Sequence, residues 1–518
     1  MVLNSHLLQL KCFSPLNSIS QDFNPLPLHK TLYGEVTTPF SMIHTILDMF
    51  PKQVFSNPNL KWLDPAAGNG YFMIVVCHRL DLGLQHVFKN TSQRRKHILS
   101  NMIYMVEINP HHTLELRTTF GELALPHIYT ETDFLRIGDG NTNLVGSFDI
   151  IIGNPPYNSN GIIKVPTKSG VSKLKDGKSI WREFLHKCYL LRPSFVSFII
   201  PSIWMNGNDV NLGDKSIYRL LTIKHRLLSF KTFTNTQTNS IFHKQAQTPT
   251  IAFLGQCRCD HDNHNNHNND HYGPKYCRVF DTIHQTLLDY PLLGPGYCIP
   301  VSHFSIIQKL QPFLKKYGSL FSIVHKTNMP RKNVQLYDSP THNNKSLFPA
   351  IHTCTLTSYS STQSNIVYKY SNIPTVFHNQ NKIVLAHKMY GIPFWDVSGS
   401  FGISNRDNYV FLESDVGYEL DFIGNSNTSA SPIHTPLYLL FTFLSMRWIQ
   451  IIYDSTRYRM KYLEKQAFHF IPNPFNMLRD GILPDTFLNE KHIYSLFGFD
   501  SKEIQYIEEN TRVFNILG

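Results

Sequence analysis

The first 260 residues of this chain alternate between short apolar runs and stretches of helical period. Ile150-Ile151-Ile152 is a continuous β-branched run, as a strand buried on both faces requires. It ends in Gly153-Asn154-Pro155-Pro156-Tyr157-Asn158, a turn that two prolines stiffen. Similar runs predict strands over 61–63, 102–106, 195–200 and 250–254. Met42, Ile43, Ile46, Leu47 and Phe50 fall at helical spacing, with Thr38 expected as N-cap and Pro39 at the first helical position. A further helix is expected from Met73 to about Leu80. This alternation predicts an α/β fold with a Rossmann-like, doubly wound sheet. From residue 278 the pattern is mixed, with strands expected over 383–387 and 409–411 and a terminal helix over 502–514. The apolar run 436–453 is interrupted by Thr442, Ser445, Arg447 and Gln450, which predicts a buried or amphipathic helix and no membrane span.

Four positions between these elements carry chemistry. In Asp64-Pro65-Ala66-Ala67-Gly68-Asn69-Gly70, the glycines let the backbone approach a ligand, and the helix that follows offers unpaired N–H groups, as at a nucleoside-cofactor turn. The Lys-Ser/Thr pair of a triphosphate loop is missing. Glu107 ends the second strand, where an acid reaches ribose hydroxyls, and Asp133 suits an adenine amino group with Phe134 or Leu135 closing the pocket. The Asn154 side-chain oxygen and the Pro155 carbonyl can face one amino group, with the Tyr157 ring over the flat molecule bearing it. Read singly, each of these positions has an ordinary structural explanation; their order is what argues for a site.

In that order they resemble the S-adenosylmethionine-dependent amino-methyltransferases. With Gly34-Glu35-Val36-Thr37-Thr38-Pro39 in front, they resemble the adenine-N6 DNA methyltransferases of restriction-modification systems, in which the cofactor half comes first and the target-recognition domain last. The resemblance spans 31–255 and fades beyond. It implies S-adenosylmethionine as cofactor, held by Thr38, Asp64, Ala66, Gly68 and Gly70 at its methionine part, Glu107 at the ribose, and Asp133 and Phe134 at the adenine. Asn154, Pro155 and Tyr157 are then the catalytic and target-base residues, Asn154 also touching the cofactor, and Phe242 packs on the flipped base from a second side. The segment 178–184 resembles one lining the cofactor pocket. Duplex DNA is the implied partner, with a separate restriction endonuclease as a possible second one.

Composition agrees with an anionic partner: 518 residues carry a formal net charge of +11. The loop 398–408 places Arg406 and Asn405 where they can read guanine and adenine edges, with Asn408 as a further adenine reader, and Arg457, Arg459 and Lys461 stand among aromatics as phosphate contacts. None of eight cysteines forms a Cys-x-x-Cys pair, and residues 1–20 lack the features of a secretory signal, so an intracellular protein is expected. The Asn/His-rich stretch from Cys257 to Cys277 fits no tetrahedral zinc spacing and reads as a low-complexity insertion, not a metal site. The expected divisions are a leader (1–30), a methyltransferase domain (31–255), the insertion (256–277), a mixed α+β recognition domain (278–475) and a helical tail (476–518). The same turn can serve cytosine N4, an RNA adenine or a protein glutamine; a catalytically inactive nucleic-acid-binding module is the reading from another class.

Overall fold

The computed structural model describes residues 9–23, 29, 32–137, 147–158, 179–246, 248–258, 276–292, 294, 297–343, 345–355, 365–386, 393–406, 408–416, 435–459, 463–484 and 489–514. The chain divides into two compact units, Met1–Phe280 with Asp289–Gly296, and Asp281–Leu288 with Tyr297–Gly518.

The first unit is built on a mixed sheet: β1 (Trp62–Asp64), β2 (Ile103–Val106), β3 (Ile128–Tyr129), β4 (Ile150–Gly153), β5 (Phe195–Pro201), β6 (Arg226–Phe233), β7 (Thr250–Gln256), β8 (Tyr276–Asp281) and β9 (Thr286–Pro291). Their spatial order is 3-2-1-4-5-7-6-8-9. Strands β1 to β5 are parallel, while β7 runs antiparallel between β5 and β6. The order reverses at β1, so β1 and β4 flank the switch point, where the loops after the strands splay apart and leave a crevice. Both strands are fully buried, which explains their unbroken apolar runs.

Helices α1 (Phe40–Leu47) and α2 (Tyr71–Gly83) cover this sheet. The N-cap of α1 is Pro39, one residue later than the expected Thr38, and Gln21 Oε1 accepts the Phe40 N–H at 3.0 Å. That releases the Thr38 hydroxyl for a different partner. The expected leader is also part of this unit, since Leu10, Cys12, Phe13 and Ile19 are buried in its core. The two turns in this stretch, Lys11–Phe13 and Leu16–Ser18, are too short for a helical period to show in sequence.

The expected boundary at 255 moves outward. The Asn/His-rich stretch leaves β7 and rejoins at β8, which pairs parallel with β6, and Cys277 is a buried strand residue. Residues 259–275 lie outside the described residues.

The second unit is mixed α+β. One antiparallel sheet joins His325–Lys326, Asn408–Leu412, Lys382–Ala386 and Phe394–Asp396, and a mixed sheet joins Leu336–Tyr337, Asn365–Ser371, Phe348–Thr355 and Gly402–Ile403. The run 436–453 forms two helices, Pro436–Leu444 and Arg447–Asp454, bent by 65°. No single helix among the described residues is long and apolar enough to cross a membrane. The expected tail is no separate part: Phe497 packs edge-on against Trp448 at 5.1 Å, and Arg447 Nε donates to Thr511 Oγ1 at 3.2 Å.

Candidate active site

A cavity of about 370 Å³ lies in the first unit at the ends of β1, β2 and β4. That volume falls in the range of small-molecule sites, ~300–1,000 Å³. Its floor is the loop after β1. Gly68 and Gly70 have φ of +53° and +77°, and a Cβ at Gly70 would stand 2.6 Å from Phe120 Cε2, so only glycine fits there. Asp64 is fully buried beneath this loop and off the cavity surface. Its Oδ1 accepts the Ala66 N–H at 3.1 Å, and its Oδ2 has no partner. Burial pushes its carboxyl up to about 8.

Glu107, at the end of β2, is buried with one oxygen accepting Gly68 N at 2.6 Å and the other accepting Asn109 N at 2.7 Å. Burial raises its pKa. The carboxylate therefore ties the glycine loop to the β2 loop while retaining free lone pairs. Glu35 reaches the same wall, 3.0 Å from His112 Nε2, and accepts from Asn109 Nδ2 at 3.4 Å. Burial alone would lower the His112 pKa, but the Glu35 partner, with the Glu107 and Glu115 charges, raises it.

The far wall holds Asp133, whose Oδ1 caps the turn Phe134–Arg136 through Leu135 N at 2.9 Å. Phe134 stacks on Phe184 at 5.4 Å between ring centres, and both line the cavity with Ile180. Helix α3 (Trp181–Leu190) brings Phe184 there. Lys178 lies outside the described residues.

At the β4 end, Asn154 Nδ2 donates to Thr38 Oγ1 at 3.1 Å, and Asn154 Oδ1 is buried with no partner. A second cavity-lining amide, Asn69, also has a buried oxygen without a partner. Buried polar atoms rarely stay unpaired, so both mark places for a ligand donor. Pro155 is buried and Tyr157 half-buried, its hydroxyl enclosed without a partner and pushed upward in pKa by burial. Neither lines the cavity.

Residues 71–237 match the Eco57I restriction-modification methylase family. The matched segment contains Glu107, Asp133 and the Asn-Pro-Pro-Tyr turn, while residues 32–38 and Asp64 precede it. An uncharacterized adenine-specific methylase of Mycoplasma pneumoniae is 29% identical over 255 residues, covering 35% of this chain and 58% of that protein. The modification methylase CviBIII of Paramecium bursaria Chlorella virus NC1A is 30% identical over 155 residues, covering 27% and 36%. The chain thus spans about three fifths or less of the length of these relatives. Among solved structures, the type IIL restriction-modification enzyme MmeI in complex with DNA covers 90% of this chain and 76% of its own, at 12% identity and a TM-score of 0.38. The type I restriction enzyme EcoKI M protein covers 56% and 55%, at 20% identity and 0.34.

The cavity brings together Thr38, Ala66, Gly68, Glu107, Asp133, Phe134 and Asn154. Three expected residues stand elsewhere. Gly70 is the N-cap of α2 and does not line the cavity. Phe242 is fully buried in the core, with no face to offer a base. Asp64 supports the loop from below and does not line the cavity. His112 and Asn109 were not anticipated; the signal was Asn109-Pro110 two residues beyond Glu107, a turn in which Asn109 Oδ1 accepts His111 N at 3.1 Å.

In the second unit, Arg406 and Arg459 are exposed. Asn405 Oδ1 accepts the Arg406 N–H at 2.9 Å, and Arg457 pairs with Asp454 at 2.6 Å. Asn408 is buried and donates to the Asn405 carbonyl, which removes it as a reader of base edges. Lys461 lies outside the described residues.

Proposed function

We propose that the chain transfers a methyl group from S-adenosylmethionine to N6 of an adenine flipped out of duplex DNA, and that the second unit recognises the target sequence. The observation that carries this reading is Asn154: its amide nitrogen is occupied by Thr38 and its oxygen is buried, unpaired and at the switch-point cavity. An exocyclic amine is the donor that such an oxygen lacks. Adenine N6 is preferred over cytosine N4 because the M. pneumoniae relative is described as adenine-specific.

The cavity residues fit the cofactor. The glycine loop admits close backbone approach, Glu107 keeps lone pairs for ribose hydroxyls, and Asp133 and Phe134 stand where an adenine ring would be held. When bound, the cofactor supplies an electrophilic methyl group. The chain's task is to make a poor nucleophile attack. Hydrogen bonds from N6 to Asn154 Oδ1 and the Pro155 carbonyl draw the lone pair out of the ring and stabilise the positive charge that grows on nitrogen. Flipping costs a few kcal/mol, which stacking on Tyr157 offsets by about 1–3 kcal/mol.

Asn154→Ala tests this. Methyl transfer should fall about 10²–10³-fold, with cofactor and DNA binding retained, in equilibrium binding beside a methylation assay. Full activity in that variant would sink the assignment.

A further inference from the structure

We infer that Gln245, which lies outside the cavity, is a positioning residue for Asn154 and acts through the strap Thr37-Thr38. The inference rests on the proposed methyl transfer, since it concerns the acceptor that transfer uses.

Thr37 and Thr38 belong to no helix or strand. Their placement therefore depends on the groups that grip them. Gln245 Oε1 accepts the Thr37 N–H at 3.1 Å. Gln21 Nε2 donates to the Thr38 carbonyl at 2.9 Å, and the Thr37 hydroxyl donates to the Asp22 carbonyl. The Thr38 hydroxyl is left to receive Asn154 Nδ2. Thr38 and Asn154 are 116 residues apart, so this one bond fixes where the Asn154 amide stands only as well as the strap itself is fixed.

Gln245 is suited to fixing it. The side chain is buried, and both ends of its amide are engaged, the oxygen with Thr37 N and the nitrogen with the Phe23 carbonyl. An amide held at both ends cannot rotate without losing two bonds. The turn that delivers it is strained: His243 and Lys244, neither a glycine, have φ of +49° and +65°. Such conformations persist where the surroundings over-determine them, and they cluster at functional sites. Phe242, the residue expected to stack on the base, instead anchors this turn in the core. The turn thus reaches the chemistry by its glutamine.

The test compares wild type, Gln245→Leu, Gln245→Glu and Thr38→Val as full chains. Hydrogen–deuterium exchange at the Thr37 amide is read beside steady-state methylation of unmethylated genomic DNA. Gln245→Leu should lose protection at Thr37, and kcat should fall about tenfold, the scale of one lost hydrogen bond, with KM for the cofactor little changed. Gln245→Glu keeps an acceptor for Thr37 N but loses the bond to the Phe23 carbonyl, so both readouts should fall between Gln245→Leu and wild type. Thr38→Val should lower kcat without changing Thr37 protection, and adding Gln245→Leu to it should cost less than the two effects combined. Retained protection or unchanged kcat in Gln245→Leu, or full additivity of the pair, overturns the inference. If wild type forms no N6-methyladenine, the proposed function fails, and the exchange measurement alone then decides whether Gln245 holds the strap.

Discussion

Asp64 shows how burial changes what one residue does. Its position before the glycine loop suggested a ligand contact, yet the structure seats it under that loop with one bonded oxygen and one unpaired. Desolvation raises its pKa from 3.8 to about 8, so folding binds a proton that the unfolded chain releases. The stabilising contribution is fully present below about 3.8 and is lost as pH rises through about 8. Asp64→Asn keeps the acceptor for Ala66 N but cannot ionise. Its melting temperature relative to wild type should therefore rise as pH is raised from about 5 to about 8, in thermal denaturation of the ligand-free protein. A difference independent of pH would show that Asp64 does not titrate in that window.

At the scale of elements, the join between β1 and α2 sets the cavity floor. Gly70→Ala places a methyl 2.6 Å from the Phe120 ring in a left-handed conformation. Strain and overpacking together should cost about 1–3 kcal/mol in denaturant unfolding. Unchanged stability would mean the loop has another conformation available. This element was legible in sequence because glycine spacing reports backbone conformation directly, and β4 was legible because a strand buried on both faces has no polar positions. The strap was legible only in part. Thr37-Thr38-Pro39 suggests a cap, but which hydroxyl meets which partner depends on Gln21, Gln245 and Asn154, all distant in sequence. Phe242 misled for a related reason: an aromatic after a helix looks the same whether it faces solvent or core. The Asp500 cap of the helix Ser501–Asn510, with Lys309 and His284 bonded to it, likewise depends on contacts that local pattern cannot reveal.

For the whole molecule, the two compact units correspond to a division of labour in the proposed function. The first holds the switch-point cavity and the acceptor turn, and the second carries the exposed Arg406 and Arg459. A net charge of +11 favours an anionic partner, so binding of the proposed DNA target should weaken as salt rises. What decides the proposed function is the atom that receives the methyl group. The direct measurement is to incubate the full chain with labelled S-adenosylmethionine and unmethylated duplex DNA, digest to nucleosides and identify the labelled product by mass spectrometry. Label is expected in N6-methyladenine, falling about 10²–10³-fold with Asn154→Ala; label in N4-methylcytosine, or label appearing only when structured RNA replaces the DNA, would contradict the proposed transfer.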